Sequence, residues 1–158
     1  MNVMEHAREL IRALGQRMGI ADLDFDEEGA VVFEIDTSLR LAMGVEPDTD
    51  AITLYSPING SDGKCHAGML NDMLAGNYLW QATQGATLAI DKATDLVVLQ
   101  QRVPLGRMSY EDFEKTLETF VTTLQSFIQI AAEGNPEADV AASTLPQNAD
   151  GIPGAIRV

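Results

Sequence analysis

The sequence predicts an α+β fold with elements in the order α-β-β-β-α-β-β-α, its antiparallel sheet covered by a long C-terminal helix. Three observations carry this. Residues 30–36, 38–45 and 51–56 form three runs in which apolar residues alternate, and a period of two means a strand with one apolar face. The links between these runs are too short for the crossover that a parallel return needs, so the runs form antiparallel hairpins. Residues 109–132 then repeat apolar side chains at the helical period over several turns.

Taken in order, residues 2–18 read as an amphipathic helix. Met4, Ala7, Ile11, Leu14 and Met18 form its stripe, Asn2 and Glu5 resemble a capping pair, and Gly19 can end it. In residues 20–29, Leu23 and Phe25 alternate with Asp22, Asp24 and Asp26, which suggests a short edge strand. The three aspartates look like the start of a calcium loop. Glu27 stands where such a loop needs glycine and Phe33 where it needs a bidentate glutamate, so an acidic solvated turn is the better reading. In the strands, Val31, Phe33 and Ile35 share a face, as do Leu39, Leu41, Met43 and Val45, and Ile52 and Leu54.

Residues 57–63 are dense in turn formers. Gly63-Lys64-Cys65 resembles the end of a phosphate loop, but Ile58 and Cys65 occupy positions where glycine and Ser/Thr are required. A short helix over residues 64–74 follows, stopped by Ala75-Gly76-Asn77. Residues 86–91 and 95–103 are strands; Leu96–Leu99 is apolar on both faces, which predicts an internal strand. The last helix has Ser109 and Asp112 at its cap and Glu111, Asp112 and Glu114 at the positive end of its dipole. Residues 1–133 therefore read as one domain and 134–158, which have no period, as a flexible tail.

The 158 residues suffice for one real core. Ten basic against 24 acidic residues leave a net charge of −14, which argues against nucleic acid or an anionic membrane as partner. The single cysteine, Cys65, permits no internal disulfide and suits a reducing compartment. The N-terminus carries Glu5 and Glu9 among its apolar residues and lacks the core of a signal peptide, and no apolar run is long enough to span a bilayer.

No constellation for catalysis is apparent. Cys65 and His66 are adjacent, and neighbours on a helix diverge by about 100°. One cysteine and the distant His6 and His66 cannot complete a metal site, so neither metal nor cofactor is expected. Glu34, Arg40, Thr53 and Tyr55 are the candidates for a polar pocket in a ligand-binding protein or hydrolase, and alternation puts them on the face away from the core. The methionines of the middle helix and Tyr78-Leu79-Trp80 are apolar groups that either complete the core or form a homodimer contact.

The N-terminal helix from Met4 to Met18, the meander from Val31 to Tyr55, the short helix from Ala67 to Leu74 leading to Asn77, the pair Leu88–Ile90 and Leu96–Leu99, and the long helix from Phe113 to Ile128 together resemble the class I type III secretion chaperones of the Tir-chaperone family. The resemblance covers residues 1 to about 132. It implies a small cytoplasmic homodimer without enzymatic activity, tied to virulence. Such a chaperone binds the N-terminal segment of an effector, keeps it secretion-competent and delivers it to the secretion apparatus, with the secretion-system ATPase as a further partner. By element, it implies a dimer contact at Met69, Met73, Trp80, Leu88 and Ile90, and a client groove at Ile11, Leu14, Phe25, Val32 and Ala42. The tail could then fill that groove when the client is absent.

Overall fold

A computed structural model describes residues 2–36, 39–58 and 67–133. Along the chain lie α1 (Val3–Met18), β1 (Ala30–Ile35), β2 (Leu39–Glu46), β3 (Ala51–Pro57), α2 (Ala67–Gly76), β4 (Thr87–Asp91), β5 (Leu96–Pro104) and α3 (Tyr110–Glu133). This is the predicted α+β order. The tail, residues 64–66 of the expected middle helix, and Cys65 with His66 lie outside the described residues.

All strand pairings are antiparallel, in the order β1-β2-β3-β5-β4. β5 lies between β3 and β4, which is why its Val97, Val98 and Leu99 are apolar in succession and all buried. One face of the sheet carries the predicted alternating sets, Val31 and Phe33, Leu41 and Met43, and Ile52 and Leu54, joined by Val97 and Leu99 of β5. α1 and α3 pack on this face and on each other. Ile11 and Leu14 enter from α1, and Phe113, Phe120 and Leu124 from α3. Each such side chain contributes about 1.5–3 kcal/mol on burial.

The caps follow the sequence. The Asn2 side chain accepts from the Met4 N–H at 3.2 Å, while Glu5 accepts from the Asn2 N–H at 3.2 Å. Gly19 closes α1 in the left-handed region at φ 71°. Ser109 Oγ accepts from the Asp112 N–H at 3.1 Å at the start of α3. Two tertiary ties fix α1 to the far end of the fold. His6 Nε2 donates to the Met108 carbonyl at 3.0 Å, and Arg17 meets Glu114 at 3.0 Å while lying over the Tyr110 ring.

The expected edge strand around Leu23 and Phe25 does not form. Both residues are buried, but the backbone there bonds to aspartates instead of to a neighbouring strand. Asp24 Oδ1 accepts from its neighbour Phe25, and Asp26 Oδ1 accepts from Glu28 and Ala30. Such local side-chain bonds compete with a ladder.

Candidate functional site

The second face of the sheet carries Val32 and Glu34 of β1, Arg40 and Ala42 of β2, Thr53 and Tyr55 of β3, and Gln100 and Arg102 of β5, by the same alternation that sends their neighbours inward. α1 and α3 pack on the other side, and α2 adds Met73 to the same core. Val32 is 51% exposed, a large apolar side chain standing directly opposite Ala42.

The ladder phase sets which backbone groups of β1 are free. The Val45 N–H donates to the Gly29 carbonyl at 2.8 Å. Counting on, Val31, Phe33 and Ile35 bond to β2, while Ala30, Val32 and Glu34 direct their N–H and C=O groups away from the sheet. Ala30 is already satisfied: its N–H donates to Asp26 Oδ1 and its carbonyl accepts from the Asp26 N–H, each at 2.8 Å. Among the described residues, Val32 and Glu34 form an open, short stretch of edge.

A second apolar surface gathers where α2, the turn at Tyr78–Trp80 and β4 meet. Leu74, Tyr78, Leu79, Trp80 and Ile90 are exposed there. A Cβ built on Gly76 would lie 3.3 Å from Leu88 Cδ1 and 3.6 Å from Phe127 Cζ, so α2 sits tight against β4 and α3. Ile130, one turn beyond Phe127, is also exposed. Leu79 and Trp80 both have left-handed backbones, at φ 52° and 53°, a conformation that costs a residue with a side chain about 1 kcal/mol or more.

The residues expected at the client groove divide. Val32 and Ala42 are on the open face. Ile11, Leu14 and Phe25 are buried among the core residues, where the stripe of α1 packs on the sheet and α3. The expected dimer set divides as well. Trp80 and Ile90 are exposed, while Met73 and Leu88 are core residues, since α2 and β4 turn these side chains towards α3. The Met69 side chain lies outside the described residues. The sequence reading missed Asp26 and Asn77 as edge-capping residues. An Asx side chain just before a strand, or just after a helix, is the signal that marks them.

The polar candidates do not converge on a pocket. Thr53 and Thr49 donate to the Glu46 carboxylate, which Arg102 Nε also reaches at 2.9 Å. These bonds, that from Thr53 foremost, hold Glu46 below the ordinary carboxylate range. Tyr55 donates to Asp91 Oδ2 at 3.2 Å; burial and that carboxylate raise the phenol. Glu34 and Arg40 are cross-strand partners. The space between sheet and α3 is filled by the core. A shallow groove lies instead beside α1, between Arg12, Gln16, Ile20 and Asp24, where Arg12 bonds Asp24 and Arg8 stands 3.5 Å from it. Among the described residues no cluster of His, Cys, Asp or Glu could hold a metal, and no helix is long and apolar enough to cross a membrane.

The sequence model of the Tir chaperone protein (CesT) family matches residues 9–127. No curated protein matches the chain. The fold is similar to a chain of the crystal structure of the ExsC–ExsE complex, with a TM-score of 0.74 at 19% identity, covering 83% of this chain and 97% of that one. It is similar to a chain of the HopA1–SchA chaperone–effector complex, with a TM-score of 0.66 at 15% identity, covering 78% and 94%. The Yersinia pestis type III secretion chaperone SycH, in complex with a stable fragment of YscM2, gives 0.58 at 16% identity, covering 76% and 98%.

Proposed function

Because the chain belongs to the Tir chaperone protein (CesT) family, we propose that it is a type III secretion chaperone that binds an extended N-terminal segment of an effector along β1 and the adjoining outer sheet face. The observation that carries this is the conjunction at Val32: an exposed apolar side chain opposite Ala42, on a strand whose outward backbone groups are open. An extended peptide adding there gains main-chain bonds from Val32 and Glu34 and an apolar contact from Val32 and Ala42. A chain held this way stays extended and non-globular.

The exposed patch of Leu74, Tyr78, Leu79, Trp80 and Ile90 fits a homodimer contact, since aromatic residues anchor interfaces and the net charge of −14 otherwise favours separation. In this reading residues 1–133 are the chaperone domain, the protein works in the bacterial cytoplasm, it performs no catalysis, and the secretion-system ATPase receives the loaded complex. The sheet-to-helix pocket that an enzyme would use is packed with core side chains.

The test is capture of tagged protein from cells expressing a type III secretion system, beside Val32→Asp. One dominant protein, bound through its N-terminal segment by the wild type and lost by the variant at unchanged oligomeric state, is the expected result. Equal recovery by both proteins would overturn the assignment to β1.

A further inference from the structure

A five-stranded open sheet has two edges, β1 and β4. Either could pair with another extended chain unless something blocks it. The ladder phase at β4 is fixed from outside. The Asn77 Nδ2 donates to the Leu88 carbonyl at 2.9 Å, and Asn77 Oδ1 accepts from the Leu88 N–H at 2.8 Å. Leu88 is therefore an outward-directed residue of β4, and Thr87 and Ala89 bond to β5.

A side-chain amide offers the same donor and acceptor as a peptide group. Asn77 thus occupies the position that a residue of a neighbouring strand would take. The rest of that edge is short: the Ala86 N–H is taken by the Thr83 carbonyl at 3.0 Å, and Ile90, the one further outward residue of β4, stands immediately before the turn at Asp91. At β1, Asp26 satisfies Ala30 alone, and Val32 and Glu34 stay open.

We propose that Asn77 is a specificity-determining residue that closes the β4 edge to strand addition, so that the sheet accepts an extended peptide only along β1. The part concerning β1 rests on the client reading above; the closure of β4 does not. Asn77 also anchors the turn that carries Tyr78, Leu79 and Trp80, because the Trp80 N–H donates to the Asn77 carbonyl at 3.2 Å. One residue thereby shuts an edge and holds an apolar surface beside it. An alanine at position 77 leaves both Leu88 groups without a partner at the sheet edge. A glutamine keeps the amide, and an aspartate accepts from the Leu88 N–H but meets its carbonyl with no donor.

The experiment uses the full chain without any client, so that a wrong assignment of the client to β1 cannot alter its outcome. Amide hydrogen exchange at Leu88 and sedimentation over a range of protein concentration are measured for wild type, Asn77→Ala, Asn77→Asp and Asn77→Gln. The Leu54 amide, in the middle of the sheet, reports whether the fold is intact. The expected result for Asn77→Ala is about tenfold faster exchange at Leu88 with Leu54 unchanged, read at a dilution where the chain does not assemble, together with assemblies larger than the wild type as concentration rises. Asn77→Gln is expected to reverse both effects. Wild-type exchange at Leu88, or faster exchange without larger assemblies, would overturn the proposal. If Leu54 exchange shows that Asn77→Ala disturbs the fold, Asn77→Asp, whose carboxylate still accepts from the Leu88 N–H but offers its carbonyl no donor, decides by sedimentation: assemblies larger than the wild type support the proposal, and wild-type sedimentation overturns it.

Discussion

Leu23 occupies the place where a side chain on Gly15 would begin: a Cβ built on Gly15 would come 2.8 Å from Leu23 Cβ and 3.1 Å from the Ile20 carbonyl oxygen. A glycine inside α1 is otherwise a liability of about 1 kcal/mol against alanine. Here it lets the chain double back under the helix after Gly19, which brings Asp24 to Arg12 and Asp26 to the head of β1.

Gly15→Ala is therefore expected to destabilise despite the gain in helix propensity. The obstructing atoms are a Cβ and a main-chain oxygen, neither the loose end of a flexible side chain, so overpacking of about 1–3 kcal/mol outweighs the propensity term. Urea denaturation with a lowered midpoint and unchanged slope would bear this out. A raised midpoint would mean that the 20–29 connection yields freely.

The division of the candidate contact residues gives a second expectation. Ile11→Ala and Leu14→Ala remove buried side chains from the core and should each lower stability by about 2–5 kcal/mol. Val32→Ala removes a half-exposed one and should change it by no more than about 0.5–1 kcal/mol. Thermal unfolding distinguishes them. Loss of partner binding by Val32→Ala without loss of stability would mark Val32 as surface machinery; loss by Ile11→Ala would follow from a weakened fold.

The period of two in residues 30–56 and the period of 3.6 in α1 and α3 made the elements legible, because each depends only on which residues meet the core. The capping residues Asn2, Gly19 and Ser109 were legible for the same local reason. What periodicity does not encode is which apolar residue remains outside after packing. Ile11 and Val32 are both apolar members of amphipathic elements, yet α3 and the sheet enclose Ile11, while none of the described helices covers the face that Val32 occupies. The burial of Met73 and Leu88 is of the same kind, since the tight seat of α2 at Gly76 is a tertiary contact. The failure of residues 23–25 to form a strand depended on aspartates that take backbone bonds, a choice that alternation cannot express.

Trp80 separates the two surfaces experimentally. It is exposed and contributes nothing to the buried core, so Trp80→Ser should leave monomer unfolding nearly unchanged while weakening the proposed homodimer by about 2 kcal/mol or more, roughly thirtyfold. Sedimentation equilibrium measures this directly. An unchanged association constant would remove the 78–80 turn from the interface.

Acid and alkali should destabilise the protein through different, identifiable groups. Partial burial pushes Asp24 up, but hydrogen bonds from Arg12 and the Phe25 N–H, with the charges of Arg12 and Arg8, hold it below its ordinary 3.8. Glu46 is lowered from 4.5 by Thr53, Thr49 and Arg102, and Asp91 from 3.8 by the Ala93 N–H and Thr94. A carboxylate whose folded pKa is depressed stabilises the fold above its unfolded pKa, and that contribution is lost as pH falls through the folded value. All three therefore weaken the fold below about pH 4. Tyr55 and Tyr110 run the other way. Burial, then the carboxylates of Asp91 and Glu114, raise both above 10.0, so their contribution is complete below that pH and lost as it rises through the folded values. Urea midpoints should thus be level from about pH 5 to pH 9 and fall on both sides. Asp24→Asn, which cannot titrate, should start from a lower midpoint at neutral pH and show a shallower acid limb. An acid limb of unchanged slope would mean that the Arg8–Arg12–Asp24 cluster at the foot of α1 does not couple folding to pH.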